Sequence, residues 1–335
     1  MMLFMYWDRR ILLFLCLIYS SFVAAEQSIG NALTLTPAQL EFYEQNNFKI
    51  LGVLQLDSNI ATNYRLVEFS GIAWDNDEQD LVILSDRGFI IHTKPIFNKN
   101  QLIDIELLSY HQLEDKNGKK LRHSASDSEG LALINSKNNR YNDTELIISF
   151  ERKPRVIRYT SEGKFISRKS VTNVLNDINN YKSPNKALEA ITLHNQFNII
   201  TGPELPLDNN SNSLSLHTLS DKQWFFRAYN EKYGSLVGLT TLPSNKIIAL
   251  ERIFPGVFAG ISNVIHLISL DENSLKQETL LKLQPADGYF NENFEGISWH
   301  KKNRFFMISD DNDNPFQRTL LIYFEIPELG KTNNE

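Results

Sequence analysis

Glu295-Gly296-Ile297-Ser298-Trp299 is followed, after Lys301-Lys302-Asn303, by Arg304-Phe305-Phe306-Met307-Ile308-Ser309-Asp310. The pattern predicts two short strands joined by a tight turn, with an acid and a glycine opening the first and an acid closing the second. The same pattern recurs upstream. Ser70-Gly71-Ile72-Ala73-Trp74 leads to Leu81-Val82-Ile83-Leu84-Ser85-Asp86, and Glu129-Gly130-Leu131-Ala132-Leu133 leads to Glu145-Leu146-Ile147-Ile148-Ser149-Phe150-Glu151. Glu189-Ala190-Ile191-Thr192-Leu193 leads to Phe197-Asn198-Ile199-Ile200-Thr201-Gly202, with Glu204 just beyond. A fainter copy, Val237-Gly238-Leu239-Thr240, leads to Lys246-Ile247-Ile248-Ala249-Leu250-Glu251.

Counted from the second residue of each opening, the copies start at 71, 130, 190, 238 and 296, giving intervals of 59, 60, 48 and 58 residues. A period of this length filled with β-hairpins predicts propeller blades rather than a helical solenoid. Two further candidate strands follow each opening hairpin, such as Phe89 to Thr93 and Leu102 to Leu113 in the first unit. The last unit has only Thr319 to Ile326, one strand short. Phe48 to Leu56 is a lone apolar run without the acid-glycine opening, so it is expected to complete the C-terminal blade and remove an exposed sheet edge. The expected fold is all-β, a propeller of five or six four-stranded blades; a sixth would have to lie in Asn173 to Lys186 or in the N-terminal segment.

The first 25 residues have the form of a secretory signal, with Arg9 and Arg10, an apolar stretch from Ile11 to Val23, and small residues Ala24-Ala25 before Glu26. That apolar stretch is short for a bilayer span, which needs about 20 residues. A secreted or periplasmic protein with no stable span after cleavage is expected. Residues 26–47 then form an N-terminal segment with a short helix, where Thr36, Pro37 and Gln39 make a cap, first position and capping box. Residues 48–327 form the propeller and 328–335 a tail. The single cysteine, Cys16, lies in the signal, which leaves the mature chain no disulfide, thiol nucleophile or thiolate metal site. Over 335 residues the formal net charge is −6, so no basic face advertises nucleic acid. A monomer is expected.

In a blade the innermost strand and its antiparallel neighbour place the opening residue of one and the closing residue of the other at the same end. Glu129, Glu189 and Glu295 should therefore meet Asp86, Glu151, Glu251 and Asp310 at one mouth of the central channel, with Glu204 close by. Crowded carboxylates either keep protons or recruit positive charge. Arg87, Arg152 and Arg252 each follow an acid and are candidates for neutralising it or for holding a substrate's phosphate or carboxylate. Calcium is the cation that suits many oxygen ligands in flexible geometry. Its candidate ligands are Glu129, Glu189, Glu295, Asp310, Glu151 and Glu251. Asp310-Asp311-Asn312-Asp313-Asn314-Pro315 is rich in oxygens, but Pro315 and Leu321 stand where an EF-hand needs glycine and glutamate. The acids also admit a purely architectural role, accepting backbone hydrogen bonds where blades crowd the axis.

Taken in order, these motifs resemble a known family, the phytase-like proteins described as having esterase-like activity of phytase. The resemblance runs from about Phe48 to Ile326 and is carried by Leu84-Ser85-Asp86-Arg87-Gly88, Asp127-Ser128-Glu129-Gly130-Leu131, Ser149-Phe150-Glu151-Arg152, Leu250-Glu251-Arg252, Phe294-Glu295-Gly296-Ile297 and Ser309-Asp310-Asp311-Asn312. It implies an extracytoplasmic β-propeller. Two functional readings are left open. The first is a hydrolase acting on a small ester or phosphoester with a cation held by mouth carboxylates, the catalytic candidates being Glu129, Glu295 and Asp86. The alternative is a non-catalytic propeller with a structural cation that binds a ligand or a protein at its mouth.

Overall fold

The computed structural model describes residues 27–57, 67–207, 212–256, 258–285, 290–314 and 316–330. Two short strands, β1 (Gln27–Ser28) and β2 (Gly30–Ala32), precede helix α1 (Pro37–Gln45) and strand β3 (Lys49–Leu56). The helix starts as the capping box predicts: Gln39 N–H donates to Thr36 Oγ1 and Thr36 N–H donates to Gln39 Oε1. The predicted signal lies outside the described residues. Among those described, no helix is long and apolar enough to cross a membrane.

Five antiparallel sheets follow. Blade 1 contains β4 (Phe69–Asp75), β5 (Asp80–Ser85), β6 (Phe89–Asn98) and β7 (Gln101–Gln112); blade 2 contains β8 (Ser128–Ile134), β9 (Glu145–Phe150), β10 (Arg155–Thr160) and β11 (Phe165–Lys169). Blade 3 is built from β12 (Leu188–His194), β13 (Asn198–Pro203), β14 (Ser213–Thr218) and β15 (Gln223–Arg227). Blade 4 is built from β16 (Gly234–Thr241), β17 (Ile247–Ile253), β18 (Ser262–Leu270) and β19 (Leu275–Leu283). The fifth has β20 (Asn293–Lys301), β21 (Arg304–Asp310) and β22 (Leu320–Glu325), with β3 as its fourth strand through pairs such as Ile322 with Val53. Strands β1 and β2 add to the outer edges of blades 1 and 5. The first strands of the blades touch in a circle, β4 to β8 to β12 to β16 to β20 and back to β4. The blade count is five. The stretch from Asn173 to Lys186, one of the two places open to a sixth, holds only a four-residue helix, Asn173–Asn176, and a 3-10 turn.

The second strands read as unbroken apolar runs because both their faces are covered. In β5, Leu81 and Ile83 enter the core between blades 5 and 1, whereas Val82 and Leu84 enter the core between blades 1 and 2. In β21, Phe305 and Met307 face blade 4, and Phe306 and Ile308 face blade 1. Side chains alternate along a strand, so one run feeds two cores. Five such cores, one between each pair of neighbouring blades, hold the ring together. Each fully buried Leu, Ile or Phe contributes ~1.5–3 kcal/mol.

Hydroxyls reinforce the blade contacts near the axis. Ser298 Oγ accepts from Trp74 N–H, Thr240 Oγ1 accepts from Trp299 N–H, and Ser70 Oγ donates to the Ser128 carbonyl. The glycine of the repeated opening is required by the same crowding. A Cβ on Gly130 would lie 2.6 Å from the Glu189 carbonyl oxygen of the next blade and 2.6 Å from Ser149 Oγ. Gly130→Ala is accordingly expected to destabilise the fold by ~1–3 kcal/mol, read as a lower midpoint in urea denaturation. An unchanged midpoint would show that the inner circle can widen without cost.

Candidate functional site

In every blade the register between the first and second strands slips at the same place: at Phe69/Gly71, Ser128/Leu131, Leu188/Ala190, Leu236/Gly238 and Phe294/Gly296. A β-bulge releases a residue from the ladder and re-aims its side chain. The residues released are Ser70, Glu129, Glu189, Val237 and Glu295, one per blade. Three carboxylates therefore turn toward the axis at one level.

A second circle lies where the second strands end. Gly71 pairs with Leu84, Ala190 with Gly202, Gly238 with Leu250 and Gly296 with Ile308. Two residues further along come Asp86, Glu204, Arg252 and Asp310, and Glu151 takes this place in blade 2. The two circles, with Asp127 and Glu68 from the preceding connections and Lys186 from the segment before β12, line a cavity of about 250 Å³. Its wall carries nine carboxylates against three cations, Arg152, Lys186 and Arg252. Below it the channel is closed. Ile72, Leu131, Ile191, Leu239 and Ile297, one from each blade, narrow the remaining space to about 10 Å³. The cavity is a blind acidic cup.

This register corrects one expectation. Glu251 is not a mouth residue and is not placed to hold a metal there, because Arg252 occupies the position that Asp86 and Asp310 hold in their blades. Side-chain alternation turns Glu251 the other way, into full burial, where it accepts from Tyr229 N–H at 2.7 Å, Asn230 N–H at 3.1 Å and His266 Nε2 at 2.8 Å. It anchors the connection into blade 4. Glu204, which follows β13, is a full member of the second circle.

The arginines part ways. Arg87 stays outside the cup and pairs with Glu68 and with Asp313 at 2.8 Å, so it ties the rim of blade 1 to the loop after β21. Arg252, with 13% of its side chain exposed, donates to Glu295, to Glu204 at 2.6 Å and to Asn293 at 2.8 Å. Its fork is taken up by acids of blades 3 and 5. Arg152 lines the cup with 48% of its side chain exposed and holds Asp127 at 3.0 Å. Of the three, it alone faces both the cavity and solvent. The oxygens after β21 are largely spent on their own turn: Asp310 Oδ1 accepts from Asn312 N–H, and Asp311 Oδ1 from Asp313 N–H.

Crowding sets the protonation of the acids. Burial, then the charges of Glu68, Asp310 and Asp127, pushes Asp86 up to about 9. Glu151 rises to about 8 through burial and Glu204, and Asp310 to about 8 through burial and Glu295. Glu129 and Glu189 are held well above the ordinary carboxylate range by burial and by neighbouring carboxylates. Burial raises Glu295 as well, although Arg252 opposes it. At neutral pH the cup either keeps protons or takes up a cation. Two sets of three carboxylates bring their oxygens within 4.8 Å of one another: Asp127, Glu129 and Glu151, and Glu151, Glu189 and Glu204.

Comparison with known proteins places this cup in a family context. A search of curated proteins finds no match. Among solved structures, XC5397, a gluconolactonase from Xanthomonas campestris, aligns over 89% of this chain and 97% of its own at 11% identity and a TM-score of 0.45. U3-55K aligns over 78% of this chain and 77% of its own at 8% identity and a TM-score of 0.39. Both are too distant to bear on activity. The model of the Phytase-like family, described as esterase-like activity of phytase, matches residues 65–313, about three quarters of the chain. With that span covering all the blade openings and every residue lining the acidic cup, the chain belongs to the Phytase-like family.

Proposed function

We propose that this propeller is an extracytoplasmic, cation-dependent hydrolase of ester or phosphoester bonds that works in the acidic cup. The observation that carries the reading is a pair of carboxylates with nothing to hold. Glu129 and Glu189 are 8% and 6% exposed, both line the cup, and no hydrogen-bond donor among the described residues reaches either side chain. Buried carboxylates without partners are costly, and oxygen-only donors in flexible geometry suit calcium. Asp127, Glu129 and Glu151 would hold the ion. Bound there, calcium supplies Lewis acidity toward a carbonyl or phosphoryl oxygen and toward water.

The remaining roles fall to the chain's own groups. Arg152, exposed and loosely paired, is placed to receive the anionic end of a substrate. Asp86, raised to about 9 and with Oδ1 buried without a partner, keeps its proton at neutral pH and can pass it to the oxygen of the departing alcohol. The closed channel beneath the cup denies the substrate a way through and keeps both products on one face.

The test is turnover on a panel of model esters and phosphoesters, with calcium removed by chelation and then restored. Glu129→Gln/Glu295→Gln is expected to lower calcium-dependent hydrolysis at least a hundredfold. Unchanged turnover in that variant would sink the proposal. A calcium-dependent rise in Tm with no turnover on any substrate would favour the non-catalytic binding propeller instead.

A further inference from the structure

The two candidate triads share Glu151 but differ in the positive charge already beside them. Around Glu204, which is 2% exposed, Lys186 Nζ lies 2.6 Å from Oε2 and 2.9 Å from Oε1, and Arg252 Nη2 lies 2.6 Å from Oε1. Arg252 also offsets the carboxylates that surround Glu189. Three acids there face two side-chain cations, one of them buried. At the other triad, Glu129 is surrounded by Glu189, Glu151, Glu295 and Asp86, with no base among these neighbours. The side-chain cation paired with one of that triad's acids is Arg152, half-exposed and bound to Asp127 alone, while Arg155 acts on Asp127 and Lys186 on Glu151 only through their fields. A partly exposed ion pair is screened and yields its partner at little cost, whereas a buried one does not.

We propose that Lys186 is a built-in counter-cation: the cup binds one metal ion, at Asp127, Glu129 and Glu151, and the Lys186 ammonium, held by Glu204, supplies the positive charge that a second ion would bring to Glu151, Glu189 and Glu204. The inference rests on the cation-binding reading of the cup given above. It assigns a role to Lys186, which comes from a segment outside the blade repeat and shares Glu204 with Arg252 of β17. It also gives Glu151, the shared ligand, a positive neighbour on one side, since the Lys186 charge acts on it across the cup.

Isothermal titration of the chelator-stripped full chain with calcium chloride tests this. The wild type is expected to bind one ion. Lys186→Met is expected to bind two, Lys186→Arg one, and Lys186→Met/Glu189→Gln one again. Two ions in the wild type, or one in Lys186→Met with unchanged affinity, overturns the inference while leaving the cation site intact. No binding by the wild type overturns the cation-binding reading itself. Lys186→Gln serves as a second variant, and where either neutral variant folds only in calcium, the metal content retained after desalting gives the same count.

Discussion

Replacing Arg252 by methionine is expected to destabilise the protein by ~3–5 kcal/mol, the usual cost of removing one partner from a buried ion pair. The guanidinium sits on blade 4 and joins Glu204 of blade 3 to Glu295 of blade 5. Burial works against its charge, yet Glu295, Glu204, Glu189 and Asp310 together outweigh burial and hold it firmly protonated. Without it, Glu295 loses its ion-pair partner and Glu204 is left with Lys186 alone. In a chain of this size the loss should lower Tm by roughly 4–7 °C. Arg152→Met is the control, because that pair is half-exposed and worth at most ~1 kcal/mol. Adding Glu295→Gln to Arg252→Met should recover part of the loss, since removing both partners costs less than removing one. Thermal melts of the chelated proteins at pH 7 decide it, and equal losses in the two arginine variants would refute the bridging role.

The same arginine shows where the sequence was legible and where it was not. The acid-glycine opening repeats because a bulge and a close approach to the next blade recur in each unit, so Gly71, Gly130, Gly238 and Gly296 mark the axis without any structure. That was enough to place Glu129, Glu189, Glu295, Asp86, Glu151 and Asp310 at one mouth. It was not enough to separate Glu251 from Arg252. The copies align by acid in the sequence but by strand register in the fold, and a shift of one residue moves a side chain to the opposite face. Glu68, Asp127 and Lys186 carry a different lesson. They come from the connections between blades, where no periodicity operates, and only the folded ring brings them to the cup. The sixth blade fails for a related reason: the 59- and 60-residue intervals are lengthened by loops rather than by further strands.

Blade 4 is consequently the odd member of the ring, the one blade that offers no acid to either circle, with Val237 in the first and Arg252 in the second, and the cup's charge is lopsided. For Glu129, on the far side from that blade, the neighbouring charges that weigh most are all acids. The asymmetry is what makes a cation preferred at one edge of the cup rather than on its axis.

Stability of the chelated protein is expected to fall as pH rises from about 5 to 9 and to be restored by calcium. Asp86, Glu151 and Asp310 are raised to about 9, 8 and 8, from ordinary values of 3.8, 4.5 and 3.8. Between the ordinary and the raised values the native state binds more protons than the unfolded one, so stability must decline with pH. A tenfold difference in one group's proton affinity between the two states is worth ~1.4 kcal/mol, and with several groups acting together the decline should reach several kcal/mol. On the acid side two buried histidines oppose this. His217 and His300 are buried and lowered to about 4 and 3, so the unfolded state gains protons that they refuse as pH falls below about 6.5. The two effects partly cancel below about pH 6.5, so the decline of the metal-free protein should be steepest between about pH 6.5 and 8. Calcium exchanges for the cup's protons, so its affinity should rise with pH and its stabilising effect should be greatest at pH 9. Melting curves at pH 5, 6, 7, 8 and 9, with chelator and with excess calcium, give two lines that diverge toward alkaline pH. Parallel lines would mean that calcium binds elsewhere, and a chelated Tm that climbs through pH 8 would mean that the cup's acids are ionised and balanced without it.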